Sequence, residues 1–415
     1  METLLFVNLR SYKVERTNPI IVAKKMGYRV AVMADRDPQL IENIIDDLMI
    51  VDTYNMEKAI EKAKAYHALH PLAGVMTWSD KDVELVAHIN HEIGTPGIDI
   101  QVVKNARNKY LMRKQFARVP NISPKFAHVY RYDDLKKAVQ NIGVPGILKP
   151  VGASGSKGIF KIESEADLNT IYEMLIQSTS PEQDLSYSYY PHEYIYEEFL
   201  EGEEVSVEGV VQHGEVFIAG ITDKSVTEDY SLEYYEIFPS EKDENTKQEI
   251  KSKAQLAIES LKINNCAFHL EGRVTPNGFK VIEAAARPGG GFIASHLLAI
   301  SSGRSFIEQV INVAVGKEIK FDWQPFDLKS KRVGYFNLIP EKEGTFIQIS
   351  GIDRALEIEG LKYCIPLKKY GERIIFPPQS FSQSFLMTLI LEGDGSEEIK
   401  QKIQKIKGVI DYTIE

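Results

Sequence analysis

Only two cysteines, Cys266 and Cys364, occur along 415 residues. That leaves no room for a disulfide framework and fits a reducing compartment. No purely apolar stretch approaches the ~20 residues that a membrane helix needs. No basic run precedes the short apolar segment from Met1 to Asn8, which reads as a buried strand rather than a signal peptide. Nor is there a long block of one charge: 49 Lys and Arg stand against 59 Asp and Glu, a net of −10. Broad binding to a phosphate backbone, which wants clustered cations, is thereby disfavoured. Internal repeats are absent too. The expectation is a cytoplasmic protein with no membrane and no nucleic-acid partner.

What is present is an ordinary globular composition. A hydrophobic fraction of 43% can fill a sizeable core, and the length suggests roughly three domains. Near the N-terminus, strand signals at Leu4 to Val7, Arg29 to Met33, Leu48 to Val51 and Ala73 to Thr77 alternate with helix signals. The helices are predicted at Pro19 to Met26, Met56 to Leu69 and Lys81 to Ile93. This rhythm implies βαβ units and a parallel, Rossmann-like sheet. However, the first strand runs into Asn8-Leu-Arg-Ser-Tyr12, without the G-x-G-x-x-G that admits a pyrophosphate.

The most informative segment is a hairpin, from Ala267 to Val274 and from Phe279 to Arg287. A three-residue loop at Pro276-Asn277-Gly278 would pair Thr275 with Phe279 and Glu271 with Glu283. Facing residues have Cβ atoms about 4.5–5.5 Å apart, where like charges repel. Two facing carboxylates gain from a shared proton or cation, and hard oxygens favour Mg²⁺. His269 and Arg287 fall on the same face by alternation. Taken alone, the pair could equally be two solvated glutamates.

Two further segments qualify that plain reading. Ile147-Leu-Lys-Pro-Val-Gly-Ala-Ser-Gly-Ser-Lys-Gly158 ends an apolar strand in a loop of small residues, Ser154, Gly155 and Ser156 among them. Such a loop can bring N–H groups to phosphate oxygens, with Lys149 and Lys157 supplying charge. It does not match the Walker A pattern, and by itself could be a surface turn. In Glu197-Glu198-Phe-Leu200-Glu-Gly-Glu-Glu204, extended backbone can meet an adenine edge, and Glu204 can accept from ribose hydroxyls.

In order, Lys109, Lys149 with its glycine loop, Glu-Glu-Phe-Leu-x-Gly-x-Glu, Glu271 with Glu283, and Arg287 resemble the ATP-grasp superfamily. Gly94-Thr-Pro-Gly97 and Asn108-Lys-Tyr-Leu-Met-Arg113 are similar to that family's entry into its ATP-binding half. The resemblance implies an α/β (α+β ATP-grasp) chain in four parts: a Rossmann-like N-terminal domain at 1–107, a small mobile subdomain at 108–190, a large subdomain with metal carboxylates at 191–320, and a C-terminal β-rich, lid-like region at 321–415. It also implies ATP as cosubstrate, with two Mg²⁺ ions that Mn²⁺ can replace. Lys109 and Lys149 would then contact phosphates, Glu197, Glu198 and Leu200 would hold adenine, Glu204 ribose, and Glu271 and Glu283 the metals. Arg287 would stabilise phosphoryl charge. One departure is Ala285, where many members carry a metal-binding Asn.

The run Glu283-Ala-Ala-Ala-Arg-Pro-Gly-Gly-Gly291 and the His269-x-Glu271 pairing resemble the branch that joins L-amino acids into dipeptides. That implies free amino acids as partners, compatible with a homodimer, and points to arginine as an N-terminal substrate. Gly289, Gly290 and Gly291 could offer N–H groups to a substrate carboxylate, and His269 could move a proton. Asp223, Glu228, Asp229 and Glu233, in a loop between Thr222 and Pro239, could grip a guanidinium. The rival expectations are a carboxylase or purine-pathway ligase of the same fold, or a nucleotide-binding regulator without turnover.

Overall fold

The computed structural model describes residues 1–10, 12–41, 43–227, 232–319, 331–377, 380 and 383–415. A first sheet runs in the order Asp47–Ile50, Arg29–Ala34, Thr3–Val7, Leu72–Met76, every pair parallel. Its central strand, Thr3–Val7, is buried throughout, which explains its unbroken apolar run after Thr3. The first helix is Lys13–Lys25 and contains Pro19, so it starts before the proline that the sequence suggested as its beginning. Gly74 in the last strand lies against the Phe306–Ala314 helix: a Cβ there would stand 2.2 Å from the Ala314 carbonyl oxygen. Gly74→Ala is expected to cost about 1–3 kcal/mol by overpacking; an unchanged denaturation midpoint would show that the contact yields freely.

A second, antiparallel sheet has the order Phe126–Val129, Tyr194–Glu198, Gly146–Pro150, Phe160–Ile162. Its core joins Leu148, Ile162 and Tyr196 to Leu135 and Leu175 on the helices Tyr132–Ile142 and Leu168–Ser178. The limits expected for the small subdomain, 108–190, need correcting at both ends. The Tyr194–Glu198 strand completes this sheet beyond residue 190. The Lys109–Phe116 helix instead buries Met112 and Phe116 with Phe268 and Phe279 of the large sheet and with Ile250 of the helix Glu244–Leu261.

That large sheet has eight strands: Gly278–Ala285, Cys266–Thr275, Glu203–Gln212, Glu215–Val226, Glu233–Phe238, Arg332–Leu338, Met387–Gly393 and Leu361–Pro366. The last three come from the C-terminal region, which is therefore not a detached lid. The reason is the Glu233–Phe238 strand, read from sequence as loop, whose free edge pairs with Arg332–Leu338. The helix Ser396–Val409 then covers this end with Ile399, Ile403 and Ile406, packed with Leu389 and Leu391.

In the hairpin the turn is tighter than expected. Thr275 pairs with Gly278 and Val274 with Phe279, leaving a two-residue loop. A bulge at Ile282 then restores the register, so that Glu271 does face Glu283. The two departures cancel. The bulge also turns the Ile282 carbonyl out of the ladder, where it accepts a hydrogen bond from Arg113.

Candidate active site

Along Glu203–Gln212, Glu204, Ser206 and Glu208 alternate with the buried Val205 and Val207. Alternation sends the three polar side chains to one face of the sheet. Register places Glu208 beside His269, Ser206 beside Glu271 and Glu204 beside Arg273. On the other flank Lys224 lies beside Glu204, and Glu236 beside Lys224. A strongly acidic sheet face results.

Its charges are arranged in chains. The buried Lys224 ammonium lies 2.6 Å from Glu233 and 2.6 Å from Glu271. Burial opposes its charge, yet Glu233 and Glu271 outweigh burial and hold its pKa well above the usual lysine value. Burial would likewise raise Glu271, but Lys224 and His269 bring it well below the carboxylate range. His269 joins Glu208 through Nδ1 and Glu271 through Nε2 at 3.1 Å. Burial lowers its pKa; Glu208 and Glu271 overcome this and push it up to about 10. Both ring nitrogens are engaged and the ring is cationic at neutral pH. In this arrangement His269 clamps Glu271.

Across the hairpin, Glu283 accepts from Lys109 at 3.0 Å, and the same ammonium donates to the Ala153 carbonyl at 2.6 Å. Arg107 donates to the Gly152 carbonyl at 3.1 Å. Lys109 thus ties Glu283 to the small-residue loop, where Gly155 and Ser156 have φ of 69° and 58°. Lys157 pairs with Asp184 on the exposed side of that loop. Arg287 lies 2.6 Å from Asp80 of the N-terminal part and donates to the Pro288 carbonyl at 2.8 Å.

The adenine assignment is corrected in part. Glu197 is buried, with its carboxylate 2.7 Å from Lys149 and in an ion pair with Arg113, while its backbone lies between two strands. A side chain so committed supports the site from beneath. The Glu198 and Phe199 N–H groups go to Lys125 and Pro145 carbonyls at 3.0 and 3.1 Å, and the Leu200 carbonyl accepts from Arg273 at 2.8 Å. Glu204 is paired with Arg273 at 3.2 Å.

The glycine run also differs from expectation. The Gly289 N–H already donates to Glu208 at 3.1 Å. A Cβ at Gly290 would meet the Arg10 guanidinium at 1.7 Å, so glycine there permits close approach of a side chain. Gly291 carries φ 61° and leads to the helical turn Ile293–Leu297. Of the acids proposed to grip a guanidinium, Glu228 and Asp229 lie outside the described residues. Asp223 is a structural cap that accepts from Ser240 at 2.6 Å and the Glu241 N–H at 2.8 Å. Glu233 is held by Lys224.

Carboxylate oxygens of Glu204, Glu233 and Glu271 all lie within 4.8 Å of one another. This donor set is hard and anionic, and together with the facing Glu283 it suits Mg²⁺ better than a soft metal. Asp80, Arg107, Arg113, Glu208, Lys224, Glu236 and Arg273 escaped the sequence reading. For Glu208 a signal existed: Glu204-Val-Ser-Val-Glu208 is an alternation whose polar face extends two residues past the one assigned.

Residues 142–296 match the model of an ATP-grasp domain. An alanine–anticapsin ligase of Bacillus subtilis is 30% identical over 248 residues, covering 56% of this chain and 52% of that ligase. The chain thus spans about half the length of that curated relative. A ligase of the same name from Bacillus subtilis strain 168 is 26% identical over 439 residues, 96% of this chain and 90% of that one. The crystal structure of an L-amino acid ligase from Bacillus licheniformis superposes with a TM-score of 0.87 at 18% identity, covering 100% of this chain and 99% of that structure. No helix among the described residues is long and apolar enough to cross a membrane. The chain thus carries a match to an ATP-grasp domain over residues 142–296, within a fold similar to that of the L-amino acid ligase structure.

Proposed function

We propose that the protein is an ATP-dependent ligase that joins two free L-amino acids into a dipeptide, with ADP and phosphate released. The observation that carries this is the facing pair Glu271 and Glu283, bracketed by Lys224 and Lys109. Similarity to ligases named for joining alanine to anticapsin supports the substrate class. Arginine as the N-terminal substrate fits the excess of carboxylates on the sheet face.

In this reading a carboxylate oxygen of the first amino acid attacks the γ-phosphorus. The bond to the bridging oxygen breaks, ADP leaves with that electron pair, and an acyl phosphate forms. The neutral amine of the second amino acid then attacks the acyl carbon, phosphate leaves with the electron pair of the broken carbon–oxygen bond, and the proton lost from the amine nitrogen passes to the departing phosphate. Lys109, Lys149 and Arg287 hold the phosphates in line and neutralise their charge. The small-residue loop excludes water above them, and the Glu198–Leu200 segment receives adenine. Glu271 and Glu283 hold two Mg²⁺ ions, or Mn²⁺ in their place, which supply further charge neutralisation.

The test is a screen of amino-acid pairs with ATP and Mg²⁺, following phosphate release and product mass. Release that needs two amino acids, stops with chelator and returns with Mg²⁺ is the expected result. Release driven by bicarbonate or a nucleotide substrate, or ATP binding with no turnover for any pair, would defeat the proposal.

A further inference from the structure

Among the described residues, neither oxygen of the Glu236 carboxylate has a hydrogen-bond partner, although the side chain is fully buried. Burial strips water from a carboxyl, and folded proteins nearly always supply a donor in its place. The neighbouring acids do have partners: Glu233 and Glu271 on Lys224, Glu208 on His269, Glu204 on Arg273. The Lys224 ammonium is already committed to two of them. Burial pushes the Glu236 pKa well above the usual carboxylate value, the response of an acid without a donor.

Its place in the fold is specific. Glu236 pairs in register with Lys224 on one side and Tyr335 on the other, so it projects from the face that carries Glu271. A Cβ at Gly291 would stand 3.2 Å from one of its oxygens and 3.3 Å from the other. The glycine run descending from Arg287 therefore passes the carboxylate with no side chain between them. Aromatic rings line the same corner: Phe292 lies 5.8 Å from Tyr335 and stacks on Tyr12 at 6.0 Å.

We infer that Glu236 receives a cationic nitrogen of an amino-acid substrate, an ammonium or a guanidinium, at Gly291. The inference rests on the ligase reading and deepens it by naming a specificity contact. Such a group brings both the missing charge and the missing N–H donors, and charge-assisted pairs are the stronger class of hydrogen bond. A carboxylate or other anion would be repelled there. The nitrogen can be the α-ammonium common to all amino acids, or the side-chain guanidinium of arginine.

Calorimetric titration of the full chain, with ADP and Mg²⁺ present, separates these sources. Arginine and its neutral isostere citrulline are compared in wild type and Glu236→Gln. Loss of about 10-fold or more in arginine affinity, with citrulline unchanged, assigns the guanidinium. An equal loss for both, with ADP affinity intact, that disappears for their Nα-acetyl forms assigns the α-ammonium. Unchanged affinity for both overturns the inference. Should Glu236→Gln lose ADP binding as well, Glu236→Asp, which keeps the charge and shortens the reach, is read in the same way. Phosphate release by wild type tests the ligase reading separately. If release is absent while arginine binding still depends on Glu236, the ligase reading falls and the contact stands. If release is present and binding is indifferent to residue 236, the reverse holds.

Discussion

Arg287→Ala is expected to lower amino-acid-dependent phosphate release by about 10²–10³-fold, the usual cost of removing one preorganised donor to a developing charge. ATP binding should remain measurable, since Lys109 and Lys149 stay in place. The side chain has a second task, which a careful experiment must separate from the first. It neutralises Asp80, a buried acid whose pKa burial would raise but which Arg287, helped by Arg107 and Lys109, brings to about 2. The folded value lies below the ordinary value of 3.8. Asp80 therefore adds stability above about pH 4 that fades as pH falls toward about 2, worth about 2 kcal/mol. Alanine at 287 forfeits that contribution and leaves a buried acid unpaired. Adding Asp80→Asn to Arg287→Ala should recover the denaturation midpoint at neutral pH but not turnover. Recovery of both would mean that Arg287 acts only through Asp80; unchanged turnover in the single variant would remove it from the chemistry.

Glu197→Gln should produce the largest loss of stability. Its carboxylate is shared by Arg113, whose side chain is 0% exposed, and Lys149, at 6%. Burial would raise the Glu197 pKa, but Arg113 and Lys149 lower it. Removing the anion leaves two buried cations facing each other, and breaking such a pair from one side costs about 3–5 kcal/mol. Guanidinium chloride unfolding measures it. Pairing the change with Lys149→Met, which removes one of the stranded charges, should return part of the loss. A cost below about 1 kcal/mol would mean that water reaches the cluster and screens it.

Much of the architecture was legible because its signals are local. The parallel sheet near the N-terminus announces itself by strand and helix periods, and the facing of Glu271 and Glu283 came from turn chemistry and alternation. Even there the route was wrong, since the loop is one residue shorter than expected and the Ile282 bulge makes up the difference. A bulge has no composition of its own. The Glu233–Phe238 strand was missed because Glu233-Tyr-Tyr-Glu236 places two acids where an apolar alternation would be sought. Those acids are on the sheet for the sake of Lys224 and the site, not the core. Partners such as Asp80 for Arg287 or Arg113 for Glu197 are separated by 207 and 84 positions, and no periodicity reports contacts that distant. The side chain of Glu197 and the N–H of Gly289 are committed elsewhere for the same reason: a motif names a residue type, while its neighbours decide which of its atoms are free.

The position of Arg113 has a mechanical consequence. One guanidinium grips Glu197 in the small sheet and, beside Glu283, the bulged carbonyl of the hairpin. A shift of either sheet is thereby passed to the other through a single buried side chain.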